Sequence, residues 1–259
     1  MPPLGKLLLG IAVPGVLAYA GICALLFFKQ SELIYYPGAT RVSALETDYS
    51  LTREGLTLRG WRLNPGRAKA LIYFGGNAER LETSREEFAR LFPDRTVYLV
   101  SYRGYGASEG EPSQAALFGD ALALYDQVSA QHPRVPIAVI GRSLGSGVAS
   151  YVASRRSVER LALVTPFDSL AAVAQSHYPV LPVRWLMRDR YESTRHLPQY
   201  PGPLLLLRAG RDEVIPPANT DALLASLENG PQVIEFPQSD HNDISQDPRY
   251  AEALRDFLR

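Results

Sequence analysis

Hydrophobic and polar positions follow two regimes along this chain. From Leu7 to Phe28 no residue carries a charge, and most are Leu, Ile, Val, Ala, Phe or Gly. As a helix that run is about 33 Å long at ~1.5 Å per residue, enough to cross a hydrocarbon core of about 30 Å. Gly10, Pro14, Gly15 and Gly21 weaken it as a soluble helix but are tolerated in membranes. The pattern predicts an N-terminal membrane anchor over residues 1–29. A cleaved signal peptide is the rival reading, with Lys6 as its n-region, Leu7 to Leu17 as its h-region and Ala18-Tyr19-Ala20 as its cleavage site. Cleavage there would leave Leu25-Leu26-Phe27-Phe28 near a greasy new terminus, which favours the uncleaved anchor. Lys6 on one side is nearly balanced by Lys29 and Arg41 on the other, so the side of the following domain stays open.

The second regime is alternation. Gln30 to Pro37 reads as a connector, with Tyr35-Tyr36-Pro37 able to sit at a membrane interface. Residues 30–259 then read as one α/β domain. Strands are predicted at Asp48–Thr52, Leu56–Leu63, Ala68–Phe74, Thr96–Ser101, Pro136–Gly141, Leu161–Thr165, Pro203–Arg208 and Val233–Phe236. Helices are predicted at Ala78–Leu91, Gln114–Gln131, Gly145–Ser154, Asn219–Leu227 and Pro248–Leu258. Apolar strands separated by helices imply a mostly parallel sheet covered on both faces, with the first two strands as an antiparallel edge. The rhythm breaks after the sixth strand. There Tyr178-Pro179-Val180-Leu181-Pro182-Val183-Arg184-Trp185-Leu186-Met187 is apolar and punctuated by proline. Residues of about 169–200 are expected either to form a small cap or to seal the sheet edge through Trp185 and Met187.

Charge adds mainly exclusions. Lys+Arg and Asp+Glu both count 27, so no net field attracts nucleic acid, and no nucleic-acid partner is expected. The single cysteine, Cys23, excludes a disulfide scaffold and a cysteine-ligated zinc site. No Gly-Lys-Ser/Thr follows Gly75-Gly76, and no G-x-G-x-x-G follows a first strand, so phosphate and dinucleotide sites are not expected. Neither a metal nor any other cofactor is expected, and a monomer is anticipated.

The chemistry centres on Gly141-Arg142-Ser143-Leu144-Gly145, between a predicted strand and a predicted helix. Such a sharp turn leaves no room for side chains at its flanks, hence glycine two residues before and two after the serine. A serine hydroxyl is a weak nucleophile until a base takes its proton. Of the four histidines, His132 precedes a proline at a helix end, while His177 and His196 fall in the proline-punctuated region. His241 follows the last strand, where the order Ser…Asp…His places the base. A carboxylate must orient that imidazole. Asp212, after the Pro203–Arg208 strand, fits best, with Asp168 in Pro166-Phe167-Asp168 as the alternative. Two amides must face the developing oxyanion. The expected donors are Leu144, directly after the serine, and Asn77, in the loop Gly75-Gly76-Asn77.

With Tyr73-Phe74-Gly75-Gly76-Asn77-Ala78, Tyr102-Arg103-Gly104-Tyr105-Gly106-Ala107-Ser108-Glu109-Gly110, the Ser143 turn, Thr165-Pro166-Phe167-Asp168-Ser169, Asp212 and His241-Asn242-Asp243, the chain resembles the α/β-hydrolase superfamily. Within it, the resemblance is to membrane-anchored, serine-aminopeptidase-like hydrolases, and it spans Gln30 to the C-terminus. It implies an α/β-hydrolase fold and hydrolysis of an ester, thioester or lipid acyl bond, with small-molecule or lipid-like acyl substrates. A peptidase and a catalytically silent binding protein are the competing readings. Two departures stand out. Gly75-Gly76 replaces a common His-Gly, and Ser101 replaces a common Asp before Tyr102, which puts in question how the Arg103 turn is held.

Overall fold

The computed structural model describes the backbone of residues 4–228 and 230–259, and side chains from Val13 onward, apart from Asn229. Met1 to Pro3 of the expected anchor, and the Lys6 side chain, therefore lie outside the described residues. The chain opens with helix α1 (Leu4–Ile34). Strands β1 (Tyr49–Arg53), β2 (Leu56–Leu63) and β3 (Lys69–Phe74) follow. Next come α2 (Arg85–Leu91), β4 (Arg95–Val100), α3 (Gln114–Gln131), β5 (Ile137–Arg142), α4 (Leu144–Ala153) and β6 (Val158–Val164). Three short helices, α5 (Leu170–His177), α6 (Val183–Leu186) and α7 (Ser193–His196), form an excursion. The chain ends with β7 (Leu204–Ala209), α8 (Pro217–Ala225), β8 (Gln232–Phe236) and α9 (Pro248–Leu258).

The eight strands form one sheet in the order β1-β2-β4-β3-β5-β6-β7-β8. β1 and β2 pair antiparallel, and so do β2 and β4. From β4 onward every pair is parallel, as the continuous apolar strands require. Successive side chains alternate between two cores. Ile72, Tyr98, Val139 and Leu163 pack with Leu117 and Leu124 of α3 and Val148 of α4. Leu71, Val97, Ile140 and Ala162 pack on the other face with Phe88 of α2 and Leu254 of α9. This is an α/β-hydrolase fold.

The helical segment long and apolar enough to cross a membrane runs from Val13 to Thr40, which takes in most of α1 and the 3₁₀ turn Pro37–Thr40 after it. Val16, Leu17, Leu25 and Phe28 are all exposed, a surface that water would penalise and lipid would not. The structure corrects the expected connector, because Gln30 to Ile34 continue the helix. They do so because Gln30 is buried against the excursion. Its amide donates to Phe27 and Leu186 carbonyls at 2.7 and 3.3 Å, and its Oε1 accepts from the Arg188 N–H at 2.7 Å. Tyr35 likewise is no interface residue. It is buried, with its hydroxyl 2.8 Å from both Tyr191 Oη and Asp189 Oδ2.

A second correction concerns the expected helix from Ala78. A 3₁₀ turn, Leu81–Ser84, leads into α2 only at Arg85. Ala78 adopts a left-handed φ of 58°, and the Glu79 carboxylate folds back to accept from the Gly76 N–H at 2.6 Å. Local polar bonding there outcompetes the helix. In the excursion, Trp185 is 90% exposed, so it does not seal the sheet edge. The Arg103 turn is held without a bond from the Ser101 side chain, although the Ser101 carbonyl accepts from Ser108 Oγ at 2.8 Å. Arg103 makes a two-point ion pair with Asp120 of α3, at 2.6 and 2.8 Å, and a further bond to Glu54 at 2.7 Å.

Candidate active site

Ser143 sits in the single residue between β5 and α4 with φ 51° and ψ −119°, a conformation L-residues rarely adopt. Both flanking glycines are forced. A Cβ at Gly141 would lie 2.4 Å from the Gly145 carbonyl oxygen, and one at Gly145 would lie 2.1 Å from that of Phe74. The turn is pinned by the Ser143 N–H, which donates to the Val164 carbonyl of β6 at 2.9 Å. The hydroxyl is thereby lifted to the C-terminal end of the strands.

Three of the expected residues meet there. Ser143 Oγ lies 2.9 Å from His241 Nε2, and His241 Nδ1 lies 2.8 Å from Asp212 Oδ2. Asp212 and His241 are both buried. The other oxygen of Asp212 accepts from the Val214 and Ile215 N–H groups at 3.0 and 2.7 Å, which fixes the carboxylate in the turn after β7. The His241 loop is stiffened by Asp240, whose carboxylate accepts from the Asn242 and Asp243 amides. Those amides hold the Asp240 carboxyl below its ordinary range. The alternative acid, Asp168, accepts instead from the Asn219 side chain at 2.9 Å and makes no bond to His241. Glu213 is exposed. His132 bonds Tyr98 Oη, His177 bonds the Val214 carbonyl, and His196 packs edge-on against Phe118 and Tyr151.

The expected amide donors flank the serine. Leu144 opens α4, so its N–H has no intrahelical acceptor and sits at the positive end of the helix dipole. A Cβ on Gly76 would stand 3.5 Å from Ser143 Cβ, so the Gly75-Gly76-Asn77 loop runs close beside the hydroxyl. The Gly76 N–H is taken by Glu79, whereas neither the Asn77 nor the Leu144 N–H finds a partner among the described residues. Among the described residues no group of three His, Cys, Asp or Glu side chains is placed to hold a metal ion.

Two supports were not foreseen from the sequence. The first is a brace. Arg142 donates to Glu79 at 3.2 Å and to the His241 carbonyl at 3.2 Å, while Tyr73 donates to Glu79 at 2.7 Å. Burial works against the Arg142 charge, but the negative field of Glu79 overrides it and raises the guanidinium pKa. The loops carrying His241 and Asn77 are thus tied through one ion pair. A charged residue placed directly after the apolar run Pro136 to Gly141 and directly before the serine is the signal that marks it. The second is aromatic. Tyr102 donates to the Gly75 carbonyl at 2.9 Å and Tyr105 to Asn77 Oδ1 at 2.6 Å. Gly104 and Gly106, with φ 76° and 56°, turn the chain so that both hydroxyls reach that loop.

The family described as "Serine aminopeptidase, S33" matches residues 68–189. "Uncharacterized protein Rv2307c" of Mycobacterium tuberculosis is 32% identical over 263 residues, covering 96% of this chain and 93% of its own. "Uncharacterized membrane protein YNL320W" of Saccharomyces cerevisiae is 28% identical over 220 residues, covering 80% and 77%. The solved structure of Est1E from Butyrivibrio proteoclasticus with bound ferulic acid superposes with TM-score 0.67 at 15% identity, over 82% of this chain and 98% of that one. That last likeness is one of fold. The chain belongs to the α/β hydrolases, among the serine-aminopeptidase-like S33 hydrolases.

Arg142→Met strands the Glu79 carboxylate in a mostly buried site. It is expected to cost about 2–3 kcal/mol in chemical denaturation, less than the ~3–5 kcal/mol of a fully buried pair because both side chains keep some exposure. Adding Glu79→Gln is expected to recover part of that loss. Strictly additive losses in this double-mutant cycle would contradict the brace.

Proposed function

We propose that this protein is a membrane-anchored serine hydrolase that cleaves carboxylic ester or thioester bonds of lipid-type acyl substrates. The observation that carries this reading is the unbroken hydrogen-bonded order Ser143–His241–Asp212 at the ends of β5, β8 and β7. His241 Nε2 takes the Ser143 proton as Oγ attacks the acyl carbonyl. Asp212 holds the other imidazole nitrogen and stabilises the imidazolium that forms. The carbonyl oxygen becomes an oxyanion between the Leu144 and Asn77 N–H groups. His241 then protonates the leaving alcohol or thiol, leaving Ser143 acylated. Water, deprotonated by His241, releases the acid and restores the serine.

The peptidase reading draws on the name of the matching family. One feature favours the ester. The cavity that reaches Asn77 is lined by no carboxylate, so a substrate's terminal ammonium would be desolvated there without a counter-charge. A silent binding role has no need of three residues in this order. Support for attachment to the membrane comes from the exposed apolar surface of α1 and from the membrane designation of the yeast relative.

Labelling by a fluorophosphonate is expected to be complete in the wild type and absent in Ser143→Ala; labelling that survives the substitution refutes the nucleophile. Asp212→Asn is expected to lower turnover by roughly 10⁴-fold, as loss of a triad acid does. Asp168→Asn is expected to leave turnover near normal, and the reverse result moves the acid to Asp168. The full-length protein is also expected to resist alkaline carbonate extraction with its own N-terminus intact. A native soluble form beginning at Gly21 would replace the anchor by a signal peptide.

A further inference from the structure

α1 does not simply lead away from the domain. Its last turns run along the excursion, and between them lies a cavity of about 500 Å³, within the ~300–1,000 Å³ range of small-molecule sites. Leu26, Leu33 and Ile34 form one wall, and Val173, Ala174 and Leu186 another. Gln30 also faces it, but its amide is already satisfied by Leu186, Phe27 and Arg188. At its inner end the cavity reaches Asn77, whose side-chain amide donates to the Ile34 carbonyl at 2.6 Å. The end of α1 and the loop beside Ser143 therefore share a hydrogen bond.

At the outer end of the excursion apolar side chains face outward and the backbone carbonyls are satisfied within the protein, while the Val180 N–H has no partner among the described residues. Tyr178, Val180 and Trp185 are exposed at 57, 79 and 90%. In Tyr178-Pro179-Val180-Leu181-Pro182 two residues have no N–H to satisfy. Gln175 donates to the Tyr178 and Leu181 carbonyls at 3.0 and 2.8 Å, and Tyr19 Oη donates to the Val180 carbonyl at 3.0 Å. Backbone groups that meet lipid must be satisfied in this way, since no water is there to do it. Tyr19 stands about 22 Å before Ile34 along α1 at ~1.5 Å per residue, well inside the apolar run. A tip bonded to Tyr19 lies at bilayer depth if α1 spans.

We propose that α1 is part of the substrate site: its last turns and the prolyl tip form an acyl-chain pocket that a membrane lipid enters sideways from the bilayer, delivering its ester to Ser143. This rests on the serine-hydrolase reading above and adds to it a pocket for the acyl chain, walled in part by α1, and an entry route. The helix then does more than tether the enzyme, because it supplies a wall of the site.

Full-length protein in detergent micelles removes tethering as a variable. Leu33→Trp fills the pocket from the α1 side and Ala174→Trp from the excursion side. Each is expected to lower the kcat/KM ratio for dodecanoyl over butyryl p-nitrophenyl ester at least tenfold. A ratio unchanged in both variants overturns the pocket, and a ratio changed only in Ala174→Trp overturns the role of α1. Binding of a fluorescent long-chain fatty acid to the Ser143→Ala protein reads the pocket without turnover. It is expected to be lost on adding Leu33→Trp, and retention overturns the proposal. If neither ester is hydrolysed by the wild type, the hydrolase reading fails, while the binding result still decides the pocket.

Discussion

The backbone at Ser143 is the constraint on which the rest of the site depends. A non-glycine residue at φ 51° and ψ −119° costs of order 1–3 kcal/mol, and it persists only where the surroundings over-determine it. Here the N-terminus of α4 is pressed so closely onto β3 and β5 that the Gly145 α-carbon faces the Phe74 carbonyl with no space for a methyl group. That contact brings the Leu144 amide beside the Gly75-Gly76-Asn77 loop. The same sheet fixes the carboxyl ends of β7 and β8, from which Asp212 and His241 reach the serine. Moving the elbow by a residue would dismantle all of these relations together.

Around this turn the protein arranges two partly buried polar supports with different reach. The Arg142–Glu79 pair joins the loop of His241 to the loop of Asn77 across the serine. Asn77 itself is held from two directions, by Tyr105 from the turn after β4 and by its own bond to the end of α1. An N-terminal segment outside the sheet is thus connected to a residue proposed to bind the oxyanion, through the Asn77–Ile34 bond and a longer one, 3.4 Å, from the Tyr36 N–H to Asn77 Oδ1. Displacement of α1 would exchange the bond from the half-buried Asn77 amide for one to water, a net cost of roughly 0.5–1.5 kcal/mol.

Much of this was legible in the chain because periodicity and glycine spacing are local signals. The eight strands fall where apolar runs predicted them, with ends displaced by at most three residues, and α3 and α9 have the anticipated limits. Gly141 and Gly145 announced the elbow because only a steric demand explains glycine at both flanks. Ser143, His241 and Asp212 followed from strand-end order. The failures came where tertiary contacts override local pattern. Glu79 pulled the expected first turn of a helix apart in favour of bonds to Gly76, Tyr73 and Arg142. Gln30 and Tyr35 read as connector and interface residues, because nothing near them in sequence reveals Leu186, Arg188, Asp189 or Tyr191. Nor did the departure at Ser101 betray that Asp120, on α3, carries the Arg103 charge.

The central claim is that Ser143 carries the acyl group between the two half-reactions. Acid quenching during steady-state hydrolysis of a dodecanoyl ester, followed by peptide mass spectrometry, reads this directly. The account predicts one dodecanoyl group on Ser143, absent after Ser143→Ala. Sustained turnover with an unmodified Ser143 peptide, or with the acyl group on another residue, would contradict it.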